Sequence, residues 1–158
     1  MHFFKNFFEK FKEPISKHDI KRFLMEGLLG SIIFGSFMGA AQFFILTTNL
    51  NFLSLLTFLI FYIFLTRRLY RSFSFYHIWY SILAVFFVLL GDYFINVTGH
   101  LLFFLIKTKQ VVWEVFNPLI YYNFLYYWPR DVLTILSNVL SIIIYVVICV
   151  TTYIQMKR

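Results

Sequence analysis

Apolar residues fall in four blocks, at about 23–46, 50–66, 75–98 and 131–154. Most are close to the twenty or so residues that cross a hydrocarbon core. Apolar residues make up 61% of the chain and charged ones only 13%, where a soluble domain would be roughly a quarter charged. Polar punctuation separates the blocks: TTNLN at 47–51, then Arg67, Arg68 and Arg71, then Pro129, Arg130 and Asp131. The pattern predicts an all-α integral membrane protein with four transmembrane helices, forming one domain over 23–158. The apolar run continues past Gly39, Ala40 and Ala41, so an uncleaved first span is expected.

Two further stretches depart from this pattern. In residues 1–22, Phe4, Phe7, Phe8 and Phe11 share one helical face, and Lys5 and Lys12 mark the other. That arrangement predicts an N-terminal amphipathic interfacial helix on the cytoplasmic surface, followed by a linker. Pro14 ends it, and Ser16 with Asp19 has capping-box spacing for a new helix near Lys17. Residues 111–128 are long enough to span but carry Glu114, Asn117, Pro118 and Asn123 among many Tyr and Trp. Tyr and Trp favour the headgroup level, so an aromatic interfacial or re-entrant segment before the last helix is expected. Residues 101–106 either extend the third helix or fold back.

Charge then fixes an orientation. Of 14 Lys and Arg, six precede the first span, three follow the second and two end the chain. With four spans these eleven share one side, which the positive-inside rule makes cytoplasmic, along with both termini. The net charge of +7 therefore reflects topology and attraction to anionic headgroups, not nucleic acid. Arg67, Arg68 and Arg71 join the Phe and Lys of residues 1–22 as expected membrane-surface contacts. A bacterial plasma membrane is the expected location. Glu26 stands one turn after Arg22, a spacing that suits a local ion pair.

Small residues single out the first span. Gly27, Ser31, Gly35 and Gly39 recur every four positions and form a helix-packing groove. The groove accommodates either a helix of another membrane protein or one of this chain, the fourth being the expected internal candidate.

Candidate chemistry is sparse. No metal, phosphate or cofactor motif is present, and Cys149 stands alone in the last block. Asp92, Asn96 and His100 follow i, i+4, i+8 spacing, placing an acid inside an apolar span where it normally faces protein or water. Gln42 and Asn138 lie at matching depth in the same topology, so these five define a candidate polar site in the outward half. Hydrogen bonding between helices is one role for it, a solute or headgroup site another, and proton transfer through Asp92 and His100 a third.

Without a nucleophile, the leading expectation is a non-enzymatic accessory or assembly subunit, packed against a membrane-protein partner or a second copy. A small-solute or ion transporter component using the polar site is the alternative. A membrane enzyme acting on lipid headgroups is the weaker third.

Overall fold

The computed structural model describes residues 15–48, 54–128 and 131–157. The surface helix expected from Phe4, Lys5, Phe7, Phe8, Phe11 and Lys12 lies outside these residues, as does Asn51. All regular structure among the described residues is helical. In chain order the α-helices are α1 (Lys17–Leu29), α2 (Gly35–Thr47), α3 (Ser54–Tyr70), α4 (Ile78–Thr108), α5 (Pro118–Tyr121) and α6 (Val132–Met156). Three helical stretches are long and apolar enough to cross a membrane: Lys17–Ile45, Ile78–Thr108 and Val132–Met156.

The first stretch is continuous because a π-helical turn, Gly30–Phe34, joins α1 to α2. Ser16 starts it as sequence spacing predicts, its hydroxyl accepting from the Asp19 amide at 3.3 Å. Helix α4 begins at Ile78, three residues after the expected start. His77 caps it, with Nδ1 accepting from the Trp79 amide. It then runs 31 residues through Gly99 to Thr108, so residues 101–106 extend it and do not fold back. An unbroken backbone satisfies its own hydrogen bonds in lipid, which offers none.

The groove of small residues is filled from within the chain, by α4 and not by α6. An ideal Cβ at Gly39 would sit 2.5 Å from the Ile95 carbonyl oxygen, and one at Gly35 would sit 2.9 Å from the Gly91 oxygen. Ser31 donates its hydroxyl to the Phe87 carbonyl at 2.7 Å, buried in the seam. At Gly27 the buried Phe87 ring occupies the space a methyl would take. Backbone approach this close needs hydrogen in place of a side chain, and it supplies the dispersion contacts that hold helices together in lipid.

At the Lys17 end of the bundle, Phe23, Phe73, Tyr80 and Phe87 make an aromatic core. Phe73 and Tyr80 stack at 4.7 Å, and Phe23 meets Tyr80 at 4.9 Å. Tyr80 is 1% exposed while Phe75, also at this end, is 83% exposed. Tyr80 lies in the first turn of α4, where it packs on Phe23 of α1, whereas Phe75 precedes the helix.

Helix α6 is seated differently. Its buried residues are Asn138, Thr152 and Met156, and most of its length faces outward.

Candidate functional site

Asp92 is the centre of the polar region. Helix α4 holds it 7% exposed, midway between the ends of its 31 residues. Its carboxylate offers acceptors and three neighbours donate. The Tyr145 hydroxyl of α6 donates to Oδ2 at 2.6 Å, the Tyr122 hydroxyl donates to the same oxygen at 3.3 Å, and Asn96 Nδ2 approaches Oδ1 at 3.4 Å. Burying a carboxyl unpaired would cost several kcal/mol, so these donors are what makes the position tolerable.

Tyr122 comes from the aromatic segment that follows α4. This segment folds as short turns, Trp113–Phe116, α5 and Asn123–Leu125, and not as one continuous helix. Asn117 starts α5 by accepting from the Leu119 amide at 3.0 Å, with Pro118 in the first turn, where its missing N–H costs nothing. Tyr93 donates to the Phe116 carbonyl at 2.7 Å, which ties the turns to α4, and Tyr121 donates to the Val115 carbonyl at 2.7 Å within the segment. Burial pushes the Tyr122 phenol well above its usual range, and the neighbouring Asp92 charge adds to this. Burial likewise moves Tyr121 up to about 12, with Tyr93 contributing. Both phenols therefore remain donors at neutral pH.

Of the five residues expected to form the site, three line one small hollow. Gln42, Asp92 and Asn96 border its volume of about 210 Å³, together with Tyr145, Ile95 and apolar side chains of α3 and α6. His100 stays on its own helix: Nδ1 lies 2.9 Å from the Asn96 carbonyl oxygen, and the ring packs against Tyr121 at 5.3 Å. Asn96 similarly donates to the Asp92 carbonyl at 2.9 Å. The i, i+4, i+8 line is thus mostly satisfied along one helix, with no hydrogen bond between His100 and Asp92. Asn138 is separate too, donating to the Tyr127 carbonyl at 2.7 Å.

Sequence reasoning assigned Asp92 to Asn96, Asn138 or Gln42 and missed Tyr122 and Tyr145. Tyr145 was the more legible of the two, because a phenol inside an apolar span needs a hydrogen-bond partner. Tyr122 was hidden among seven other aromatic residues over 113–128.

Tyr145 also forms part of a second wall. On its other side an open apolar groove of about 820 Å³ runs between α4 and α6, bordered by Leu89, Tyr93, Phe124 and Cys149. Phe124 stacks on Tyr145 at 5.2 Å.

At the opposite end of the bundle, Glu26 pairs with Arg68 of α3 across the helix interface, and not with Arg22 on its own helix. Arg67 and Arg71 stand one turn apart beside that pair, both exposed. No protein-family model matches the chain, and neither the curated proteins nor the solved structures compared with it show a significant match.

Proposed function

We propose that the protein is a four-span, non-enzymatic subunit of a larger membrane assembly, with both termini cytoplasmic. The fourth span would be α3, whose 17 described residues cover about 25 Å at 1.5 Å each. The clustering of basic residues at one end supports that topology. On this reading the turns over 113–125 lie at the outer interface.

The observation that carries the functional reading is the contrast within the polar site. Asp92 spends its acceptors on Tyr145, Tyr122 and Asn96, so its chemistry is structural: it joins α4, α6 and the aromatic segment. The glycine groove is occupied internally and no longer argues for a partner. What is left to engage one is α6, with Val132, Leu133 and Leu136 among its most exposed side chains. A photo-crosslinking residue in place of Leu136 or Val147 tests this in native membranes. A stoichiometric adduct with one membrane protein supports the proposal, its mass separating a foreign partner from a second copy. Crosslinks to lipid alone overturn it.

A second reading rests on the 210 Å³ hollow, where Gln42, Asp92 and Asn96 bring polar groups together between helices. It makes the protein an ion or small-solute transport component. Proteoliposomes showing no flux that depends on Asp92 would eliminate it.

A further inference from the structure

The end of the bundle that carries the arginines contains a concavity of about 640 Å³ between α1 and α3. Arg67, Arg68 and Arg71 line it at the end of α3, with Arg22 from α1. Glu26 neutralises Arg68. Among the described residues Arg22, Arg67 and Arg71 have no anionic partner, so three unpaired arginines border this concavity. Arg67 and Arg71 also border a neighbouring one with Tyr62 and Gln155. Like charges gathered around one concavity favour an anion between them.

The other wall has the opposite character. Ile60, Ile63 and Phe64 line it, and all three are exposed and lie on the α3 turns that precede the arginines. A basic end beside an apolar wall matches a molecule with a charged head and a hydrocarbon tail. Soluble phosphate would use the basic end and leave the wall uncovered. Arg is well suited to the head, because its planar fork pairs with two phosphate oxygens at once.

We propose that this concavity binds one anionic glycerophospholipid, its phosphodiester held by Arg22, Arg67 and Arg71 and one acyl chain lying along Ile60, Ile63 and Phe64. This is a defined site, different from the diffuse attraction that any basic loop has for an anionic leaflet. It requires only that α3 ends at the headgroup level. It does not depend on the partner proposed for α6.

The test counts lipid retained by the full chain in detergent, using native mass spectrometry during titration with phosphatidylglycerol, phosphatidylcholine or inorganic phosphate. The wild type should hold one phosphatidylglycerol and no phosphatidylcholine, and phosphate should not displace the lipid. The double variant Arg67→Gln/Arg71→Gln should bind phosphatidylglycerol roughly thirtyfold more weakly, as expected from two lost basic contacts. Both side chains are exposed, so its melting temperature without lipid should match the wild type. Lys157→Gln removes a positive charge outside the concavity and should leave retention unchanged. Equal retention by the double variant overturns the site. So does an equal loss in Lys157→Gln, which would indicate diffuse attraction. Stabilisation by phosphate matching that by phosphatidylglycerol would also overturn it, in favour of a simple anion pocket.

Discussion

The two seams along α4 are built on opposite principles. Against α2, the seam is backbone on backbone: Gly35 and Gly39 lie over Gly91 and Ile95, and the Gly39 carbonyl oxygen lies 3.4 Å from where a Cβ at Gly99 would be. Against α6, contact is maintained by separated hydrogen bonds. Tyr145 reaches Asp92, and Ser81 donates to the Tyr153 carbonyl at 3.1 Å. Two neighbours add to this: Tyr127 offers its carbonyl to Asn138, and Tyr62 of α3 donates to Thr151 at 3.1 Å. Lipid gives two apolar helices no reason to associate, so close shape or polar pairing must substitute. The first seam relies on close shape, with Ser31 adding one hydrogen bond, and the second uses polar pairing at points. The shape-based seam should be intolerant of added volume, and the polar one should depend on donors and acceptors while tolerating changes of size.

The strongest break is therefore steric. Gly39→Val places a methyl-bearing carbon against the Ile95 carbonyl oxygen and the Thr98 Cβ, 2.5 and 2.8 Å from the ideal position. One obstacle is backbone and cannot swing aside, so the helices must separate. A loss of about 3 kcal/mol is expected, at the upper end for overpacking, read as a lower melting temperature in detergent. An unchanged melt with loss of a co-purifying protein would mean that the groove faces outward, and the contrast between seams would fail.

The second break is polar. Asp92→Leu leaves the hydroxyls of Tyr145 and Tyr122 without their acceptor in a buried place, an expected loss of about 2 kcal/mol. Asp92→Asn keeps the shape and one carbonyl acceptor, and should cost well under half of that. Combining each with Tyr145→Phe in a double-mutant cycle measures the pairing directly. Additive losses would show that Tyr145 and Asp92 do not support each other. If Asp92→Asn melts normally yet abolishes the biological phenotype, the acid is functional and the structural reading of the site falls.

How far each seam could be read from sequence follows from the same difference. Small residues every fourth position encode a helical face directly, so Gly27, Ser31, Gly35 and Gly39 were visible as a groove. Their partner was not, because α4 answers with Gly91 and Gly99 at a spacing of eight and with a carbonyl that any residue provides. The membrane character of the chain was plain in its apolar blocks, three of which appear as helices long enough to cross. Asp92 stood out because ionisable groups in spans are rare. Its partners Tyr122 and Tyr145 lie 30 and 53 residues away, and no local periodicity connects them. Arg68 and Glu26 are a similar case: helix spacing pointed to Arg22, but the contact lies across 42 residues.

The smallest effect lies at the start of α6, where a cap holds the first turn of the pinned helix. Asp131 accepts from the Thr134 hydroxyl at 2.9 Å and from the Thr134 amide at 3.1 Å. Those two hydrogen bonds, the hydroxyl's first, hold its carboxyl below the usual aspartate range. A folded-state value lower than the unfolded one gives a contribution that is complete above the unfolded value. It disappears as pH falls through the folded value. The Thr134 amide should accordingly lose hydrogen-exchange protection as pH drops below the ordinary aspartate range, while the amides of Gly35 and Gly39 keep theirs. Their neighbours across the α2–α4 seam are the Gly91 and Ile95 carbonyls and the Thr98 side chain, none of which titrates there. Asp131→Asn retains a capping oxygen and removes the proton equilibrium, so it should flatten the response at Thr134. Protection that falls equally at Thr134, Gly35 and Gly39 would indicate cooperative unfolding of the bundle. It would then remove the distinction between a helix held at points and one held by close shape.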